Sequence, residues 1–468
     1  MAATALIVLA AGRGTRLCSA LPKVLHHAGG RSLLAHVLAA GAAAGLPPAD
    51  TFVVAGYAAE QVQAAVASSG VRVILQQPQR GTGHALQVAA PALVAYSQII
   101  VLHGDMPVVS ATTVSRLRAE LEAGADAVLA TATPDTPRAY GRILRDRKQP
   151  EQVVAIVEDR QATPAQKQIR ELNAGFYAFR LQPLLVALGQ LGTNNPHGEF
   201  YLTDTIALMA QAGAKIRAYP LPDPVEILGI NDRIELAEVD SLLRRRKAEE
   251  LMTQGVSIYA PATVAVDPEV TAGQDCVLEP GVQLRGQTTL GANCRIGAYS
   301  ILTDCRLDDG VEVLPHCVLE RAQIGAGARV GPFTRLREQA EIAPGAHLGN
   351  FVEVKKSRIG EGAKAMHLAY LGDAQIGARV NIGAGAITCN YDGEQKHPTA
   401  IGEETFVGSN ATLVAPLEIA AGAYVAAGSV ITDPVPAGAL ALGRGRQVNK
   451  PGWVAARKKK ARSSRNGG

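Results

Sequence analysis

One group of residues near the N-terminus has the types and spacing for phosphate chemistry. Leu9-Ala10-Ala11-Gly12-Arg13-Gly14-Thr15-Arg16 follows a short apolar run, and Pro22-Lys23 comes soon after. Glycines let backbone N–H groups approach phosphate oxygens that a Cβ would hold off. Arg16 and Lys23 add positive charge, so the loop reads as a cradle for a triphosphate. It is not the dinucleotide fingerprint, because Leu17 stands where a third Gly is required. It is not a Walker loop either, because no GKS or GKT follows. Asp105 closes the run QIIVLHGD, at what would be the carboxyl edge of a sheet, where open α/β folds bind ligands. A carboxylate there suits Mg²⁺, which takes oxygen ligands and shares them with phosphate.

The elements that must position these residues fall into two unlike halves. Ala5–Gly12, Thr51–Gly56, Val71–Gln76, Gln98–Asp105 and Ala127–Thr133 are short apolar runs separated by helix-like stretches. Buried parallel strands with crossover helices produce this pattern, so an α/β open sheet is expected over residues 1–231. Residues 232–254 lack Gly and Pro and are dense in charge. Leu236, Val239 and Leu243 fall on one helical stripe there, and Gly255 supplies a stop. A single helix joining two domains is expected. From residue 255 to the end the period is six, as in Ile324, Val330, Leu336, Ile342, Leu348 and Val354, or Ile401, Val407, Leu413, Ile419, Val425 and Ile431. This is a hexapeptide-repeat solenoid, in which three short strands make one triangular coil of roughly 18 residues. The aliphatic residue points inward, and Gly or Asn is expected at the tight corners. Asn390–Thr399 breaks phase and should project as a loop.

The 468 residues suit two or three domains, and 47% hydrophobic with 19% charged residues is globular rather than disordered. Of the 46 Lys and Arg, six lie in the last twelve residues, leaving forty against 42 Asp and Glu. A basic body is excluded, and with it a broad nucleic-acid-binding face. The apolar start lacks a cationic n-region and a cleavage site, so no secretory signal is expected. No apolar run is long enough for membrane insertion. Six cysteines without a CxxC pair read as free thiols, which places the chain in the cytoplasm. The RKKKARSSR run reads as a solvated, disordered tail.

These motifs complete a resemblance. LAAGRGTRL with Pro22-Lys23 is similar to the signature of sugar-1-phosphate nucleotidyltransferases. Joined to hexapeptide repeats, the chain resembles the bacterial bifunctional N-acetylglucosamine-1-phosphate uridyltransferase/glucosamine-1-phosphate acetyltransferase family. GTGHA at 81–85, YGRI at 140–143, VE at 157–158, NAG at 173–175 and GIN at 229–231 occur in that family's order. The likeness implies a Rossmann-like nucleotidyltransferase domain, a connecting helix and a left-handed parallel β-helix. It implies that Leu9, Ala10, Ala11, Gly12, Gln76, Gly81 and Thr82 hold the uridine nucleotide of UTP, with Lys23 on its phosphates. His103 and Gly104 flank this site beside Asp105. Gly141, Glu158 and Asn173 would hold the N-acetylglucosamine moiety, and Asp105 with Asn231 would ligate Mg²⁺. His103 and Ala174 depart from the family's usual Tyr and Thr.

The implied first reaction is in-line attack of a sugar-1-phosphate oxygen on the α-phosphorus of UTP. Two anions must meet, so Arg16 and Lys23 act by offsetting charge, together with the metal. For the second reaction the likeness implies that His367 takes a proton from the amine of glucosamine-1-phosphate, which attacks acetyl-CoA. Arg337 and Lys355 match positions that clamp the sugar phosphate; Tyr370, Asn381, Asn390 and Tyr391 match further sugar-site positions. Ala384, Ser409, Ala427 and Arg444 match the acetyl-CoA site, to which Asn390 and Tyr391 are also assigned. Glu338 stands where the family often has Pro. The products would be N-acetylglucosamine-1-phosphate and then UDP-N-acetylglucosamine, a cell-wall and lipopolysaccharide precursor. A homotrimer through the β-helix is implied. Three other readings compete, one of them a non-catalytic scaffold, which predicts loss of Arg16, Lys23 or Asp105, all present. A single-activity nucleotidyltransferase with a regulatory β-helix predicts loss of His367, Arg337 or Lys355. A three-histidine metal centre needs matched spacing, but His316, His347 and His367 lie 31 and 20 apart.

Overall fold

The computed structural model describes residues 3–135, 139–195 and 198–463. The chain divides into two compact units, Met1–Lys247 and Ala248–Gly468.

The first unit is built on a nine-stranded sheet. Thr4–Ala10 lies between Thr51–Ala55 and Gln98–His103, parallel to both, with Arg72–Leu75 beyond Thr51–Ala55. Alternate residues of the first strand enter two different cores. Leu6, Val8 and Ala10 pack on one face with the helices Leu33–Ala43 and Ala111–Glu122. Ala5, Ile7 and Leu9 pack on the other with Thr82–Ala89, Leu181–Gly189 and Asp204–Gln211. Burial on both faces explains why these strands read as unbroken apolar runs. The sheet is not wholly parallel, however. Leu172–Arg180 runs antiparallel to both Gln98–His103 and Ala127–Ala132 in the middle of the sheet. The hairpin Arg142–Arg145/Val153–Val157 hangs from it. The apolar pattern of LNAGFYAFR reports burial but not strand direction, so spacing alone could not place it.

A helix spans Arg233–Thr253. Val239, with Leu236 and Leu243 partly buried, packs among Leu17, Leu33, Val108 and Ile230 of the first unit. Gly29, at φ +55°, lets Leu243 sit close, since a Cβ there would stand 2.6 Å from that of Leu243. Further along the helix, Ala248 and Leu251 belong to the core of the second unit.

The second unit is a parallel β-helix. Each strand pairs with the strand one coil later, so the register steps eighteen residues from Val277 to Arg295 and seventeen from Arg295 to Glu312. Ile296, Val313, Val330 and Leu348 stack in register as one interior ladder. The six-residue period therefore slips by one in some coils without loss of the ladder. In the first coils two residues of each six are buried. The strand residues Val266, Leu278 and Leu284 point inward, and so do Val264, Cys276 and Val282, two positions earlier.

The corners differ from expectation. Besides glycines, Tyr299, His316, Phe333 and Phe351 adopt left-handed φ of 58°, 62°, 55° and 59°. Such a conformation costs about 1 kcal/mol or more per residue. Here consecutive rings stack at 5.5, 5.1 and 5.4 Å between centroids, which offsets the cost by a similar amount. His316 is thus a rung of an aromatic stack. The coil interrupted by Asn390–Pro398 is longer, and the register steps twenty-five residues from Asn381 to Phe406. The basic run is not wholly unstructured: Trp453–Ser463 is helical, as its Ala, Arg and Lys content favours. Residues 464–468 lie outside the described residues. All six cysteines are free.

Candidate active sites

Three parallel strands of the first unit end side by side at Ala10, Ala55 and His103. The loops leaving them enclose a cavity of about 610 Å³. It is lined by Leu9, Ala10, Ala11, Gly12, Arg16, Lys23, Gln76, Gly81, Thr82, His103, Asp105 and Asn231. Gly104 does not line it; its N–H holds the Leu9 carbonyl at 2.9 Å and ties the two strand ends together. Gly14, at φ +65°, lets Lys23 pass beneath the loop, since a Cβ there would stand 2.7 Å from that of Lys23. Among the described residues, none beyond its chain neighbours has an atom within 4 Å of where a Cβ on Gly12 would be, so the backbone is open to a ligand there. Gly81, at φ +101°, presses against the Phe200 carbonyl, and its own carbonyl accepts the Gln76 amide at 2.9 Å.

A second cavity, about 560 Å³, adjoins the first and shares Arg16, Thr82, His103, Asp105 and Asn231 with it. Its other walls include Gly141, Glu158 and Asn173. Asn173 follows from the chain's own bonding, because its N–H donates to the Gly141 carbonyl at 2.8 Å. The strand is bulged between Asn173 and Tyr177, with Gly175 at φ +77°, which re-aims the Asn173 side chain. Glu158 accepts the Thr203 hydroxyl at 3.0 Å. Burial pushes its carboxyl above the usual range, nearby Asp204 and Asp159 add to this, and the Thr203 hydrogen bond opposes.

Lys23 lines the first cavity and holds two residues that line both, Asp105 and Asn231. Its ammonium donates to Asn231 Oδ1 at 3.0 Å and pairs with the Asp105 carboxylate. Ile230 N–H bonds to the Asp105 carbonyl at 3.1 Å, which brings the two side chains together. Burial works to raise the Asp105 pKa, but the Lys23 and His103 charges and the hydrogen bonds to the carboxylate together outweigh it and hold the group low. Burial also lowers the His103 pKa. A divalent metal suits this place. Asp105 and Asn231 offer hard oxygen donors, and the ammonium between them shows that the pair already holds a cation. Among the described residues no cluster of three His, Cys, Asp or Glu exists. A metal that shares phosphate ligands needs few protein donors, often one or two carboxylates.

In the second unit His367 lies on the strand Lys364–Gly372, exposed, one residue before a corner at Leu368 with φ 39°. Ala384, Ser409 and Ala427 occupy the same corner in the next three coils. The links are Gly385 N–H to the Leu368 carbonyl at 2.7 Å, Asn410 to Ala384 at 2.7 Å, and Gly428 to Ser409 at 2.8 Å. Arg444 then donates to the Ala427 carbonyl at 2.8 Å. On the strand after the corner, Glu353 and Tyr370 pair in register, as do Lys355 and Gly372. Arg337 donates to Glu353 at 3.0 Å, which raises its pKa. Asn390 donates to Asp373, and the place of a Gly372 Cβ is 2.5 Å from the Tyr370 hydroxyl and 2.8 Å from the Asn390 amide. Tyr391 is exposed on the phase-breaking loop. Asn381 stands apart, on the strand before the corner, in register with Lys364 and Phe406.

Some residues of these places carried no sequence signal. Lys396 reaches Lys355 from the inserted loop, and the two ammonium groups lower the Lys355 pKa. Glu338 lies 4.0 Å from Lys355. Irregular loops have no period from which such a meeting can be read. Thr203 and Tyr177, polar partners of Glu158 and Asn173, look like ordinary helix-start and strand residues in the sequence.

The comparisons with known proteins agree with this two-part architecture. Residues 6–189 match the MobA-like NTP transferase domain family, and residues 398–433 match the hexapeptide repeat of succinyl-transferase. The chain is 48% identical over 453 residues to the bifunctional protein GlmU of Koribacter versatilis, covering 96% of each. It is 48% identical over 461 residues to that of Solibacter usitatus, covering 98% of each. To that of an Anaeromyxobacter species it is 50% identical over 465 residues, covering 98% of this chain and 94% of that one. Identity at this level, sustained across both units, makes the chain a member of the GlmU family, a bifunctional enzyme with a uridyltransferase and an acetyltransferase activity.

Proposed function

We propose that the first unit joins UTP to N-acetylglucosamine-1-phosphate. One observation carries this reading: the Lys23 ammonium, in the wall of the first cavity, bridges Asp105 and Asn231, and these two line both adjoining cavities. One cavity suits a nucleotide and the other a sugar. Their junction is where an attacking phosphate oxygen would meet the α-phosphorus. A new P–O bond forms, the bond to the β-phosphate oxygen breaks, and pyrophosphate departs. Leu9 to Gly12, Gln76, Gly81 and Thr82 hold the nucleotide; Gly141, Glu158 and Asn173 hold the sugar. Lys23 and Arg16 offset the charge of the approaching phosphates. Asp105 and Asn231 would hold Mg²⁺, which supplies further charge neutralisation when bound.

The second unit acetylates glucosamine-1-phosphate. Arg337, Lys355 and Lys396 form a cationic seat for its phosphate, with Tyr370, Asn390 and Tyr391 near the sugar. His367 takes the proton of the 2-ammonium. The freed amine attacks the acetyl thioester, and coenzyme A leaves as the thiol. Ala384, Ser409, Ala427 and Arg444 line the corner along which acetyl-CoA lies. Asn381, set apart from the cationic seat within one chain, supports a homotrimer in which a second copy completes the site. We assign residues 1–231 to uridylyl transfer, 232–254 to the joining helix and 255–468 to acetyl transfer, acting in the cytoplasm. Thiol release from acetyl-CoA with glucosamine-1-phosphate, and pyrophosphate release from UTP with N-acetylglucosamine-1-phosphate, test the two halves separately. A purified chain that releases only one product refutes the reading for the other half.

A further inference from the structure

Tyr177 is only 1% exposed, yet it forms part of the wall of the cavity assigned above to the sugar. Its hydroxyl oxygen accepts a hydrogen bond from Asn173 Nδ2 at 2.6 Å. The orientation of that amide is fixed, because Asn173 Oδ1 accepts the Gly175 N–H at 3.2 Å. The phenolic hydrogen of Tyr177 is therefore free to donate, and no other group among the described residues takes it. A buried O–H donor without an acceptor is costly. In the wall of the same cavity, Glu158 Oε1 accepts the Thr203 hydroxyl. Oε2 has no partner among the described residues. Tyr177 thus offers the cavity a free donor and Glu158 a free acceptor among the described residues. Burial keeps the phenol protonated, the Glu158 charge adds to this, and the Asn173 bond opposes.

A hydroxyl group is the chemical complement of such a pair, since it accepts one hydrogen bond and donates another. We propose that Tyr177 is a specificity residue that, with Glu158, reads a single ring hydroxyl of the sugar: Tyr177 donates to it and Glu158 Oε2 accepts from it. The inference rests on the assignment of this cavity to the sugar phosphate. A sugar that lacks the hydroxyl, or carries it on the other face of the ring, leaves both groups unpaired and is rejected. Asn173 then has a double task, contacting the sugar and holding the phenol in the rotation that aims its hydrogen inward.

The test is a cycle of enzyme and substrate variants in uridylyl transfer, with the full-length protein. Tyr177→Phe keeps the ring and removes the donor. With N-acetylglucosamine-1-phosphate it should lower kcat/KM about five- to ten-fold, chiefly through KM. With either the 3-deoxy or the 4-deoxy analogue the same substitution should cost less than about two-fold, because the hydroxyl it served is already gone. Glu158→Gln, measured as a second variant, should spare that same analogue. The KM for UTP and the melting temperature report whether each variant is folded. Equal losses with the parent sugar and both analogues would reduce Tyr177 to a positioning residue for Asn173 and overturn the proposal. So would an undiminished kcat/KM, or a Glu158→Gln variant that spares a different analogue. Failure of the wild-type protein to release pyrophosphate with the parent sugar would instead bring down the cavity assignment itself.

Discussion

Asp105→Asn separates the electrostatic role of Asp105 from its shape. The substitution keeps the side-chain outline and removes the charge that faces Lys23. The Lys23 and Asp105 side chains are 12% and 25% exposed, and the ammonium has Asn231 as its other acceptor. Breaking a fully buried pair costs about 3–5 kcal/mol, and breaking a fully exposed one about 0–1 kcal/mol. The intermediate exposure, with an amide oxygen still available, places the cost near 2 kcal/mol. For a unit of this size that lowers the melting temperature by about 4–8 °C. The protein therefore remains folded at 25 °C, and activity can be read. Uridylyl transfer, followed as pyrophosphate release, should fall about 1000-fold, the scale for losing a preorganised electrostatic group. Acetyl transfer, followed as thiol release, should stay within about two-fold, because no residue assigned to it lies in the first unit. Uridylyl transfer within ten-fold of wild type would refute the charge-based mechanism. Loss of both activities in a folded variant would refute the separation of the two centres.

The remaining expectations concern both units. His367→Ala should reduce thiol release by about 100- to 10,000-fold and leave pyrophosphate release intact; a ten-fold loss or less would remove His367 from the proton transfer. Lys396→Ala should raise the KM for glucosamine-1-phosphate about ten-fold. It should also move the alkaline limb of that KM profile to higher pH, because Lys355 loses the like-charged neighbour that lowers its pKa. An unmoved limb would show that the two ammonium groups do not act together. Glu158 has a folded pKa raised by burial, so its ionised form opposes folding once the pH rises above the unfolded value. Glu158→Gln should accordingly raise the melting temperature at pH 7.5, lose that gain near pH 4, and still weaken sugar binding; a lower melting temperature at pH 7.5 would contradict the sign. Fragments 1–253 and 233–468, each carrying the joining helix, should keep uridylyl and acetyl transfer respectively, and two folded but inert fragments would show that the activities are not separable.

Most of the architecture could be read from periodicity, because burial imposes it. Strands buried on both faces, such as Thr4–Ala10, must be apolar throughout, and coils stacked in register must repeat. The centre of the first sheet was less legible, since an apolar run such as Leu172–Arg180 looks the same in either direction. Corner chemistry was also hidden. Tyr299, His316, Phe333 and Phe351 tolerate a left-handed backbone only because each ring meets the next, which is a relation across coils. In the first cavity the loop Leu9–Arg16, Lys23 and Asp105 announce themselves by glycines and charge at strand ends. Tyr177 and Thr203 do not, since their role depends on which atoms already have partners. Lys396 depends on the course of an irregular loop.

The equal steps on either side of Arg306 have an engineering consequence. Arg306 pairs backward with Thr289 and forward with Gln323, in the same register each time. Excising the seventeen residues Arg306–Ala322 would seat Gln323 directly on Thr289 and bring Phe333 to face Tyr299, ring upon ring. The prism shortens by one storey, and the coils around His367 keep their own neighbours. Tandem duplication of the same stretch lengthens it by one. The height of the solenoid is thus a quantity that recombination can vary in whole units, without a compensating change at the acetylation centre.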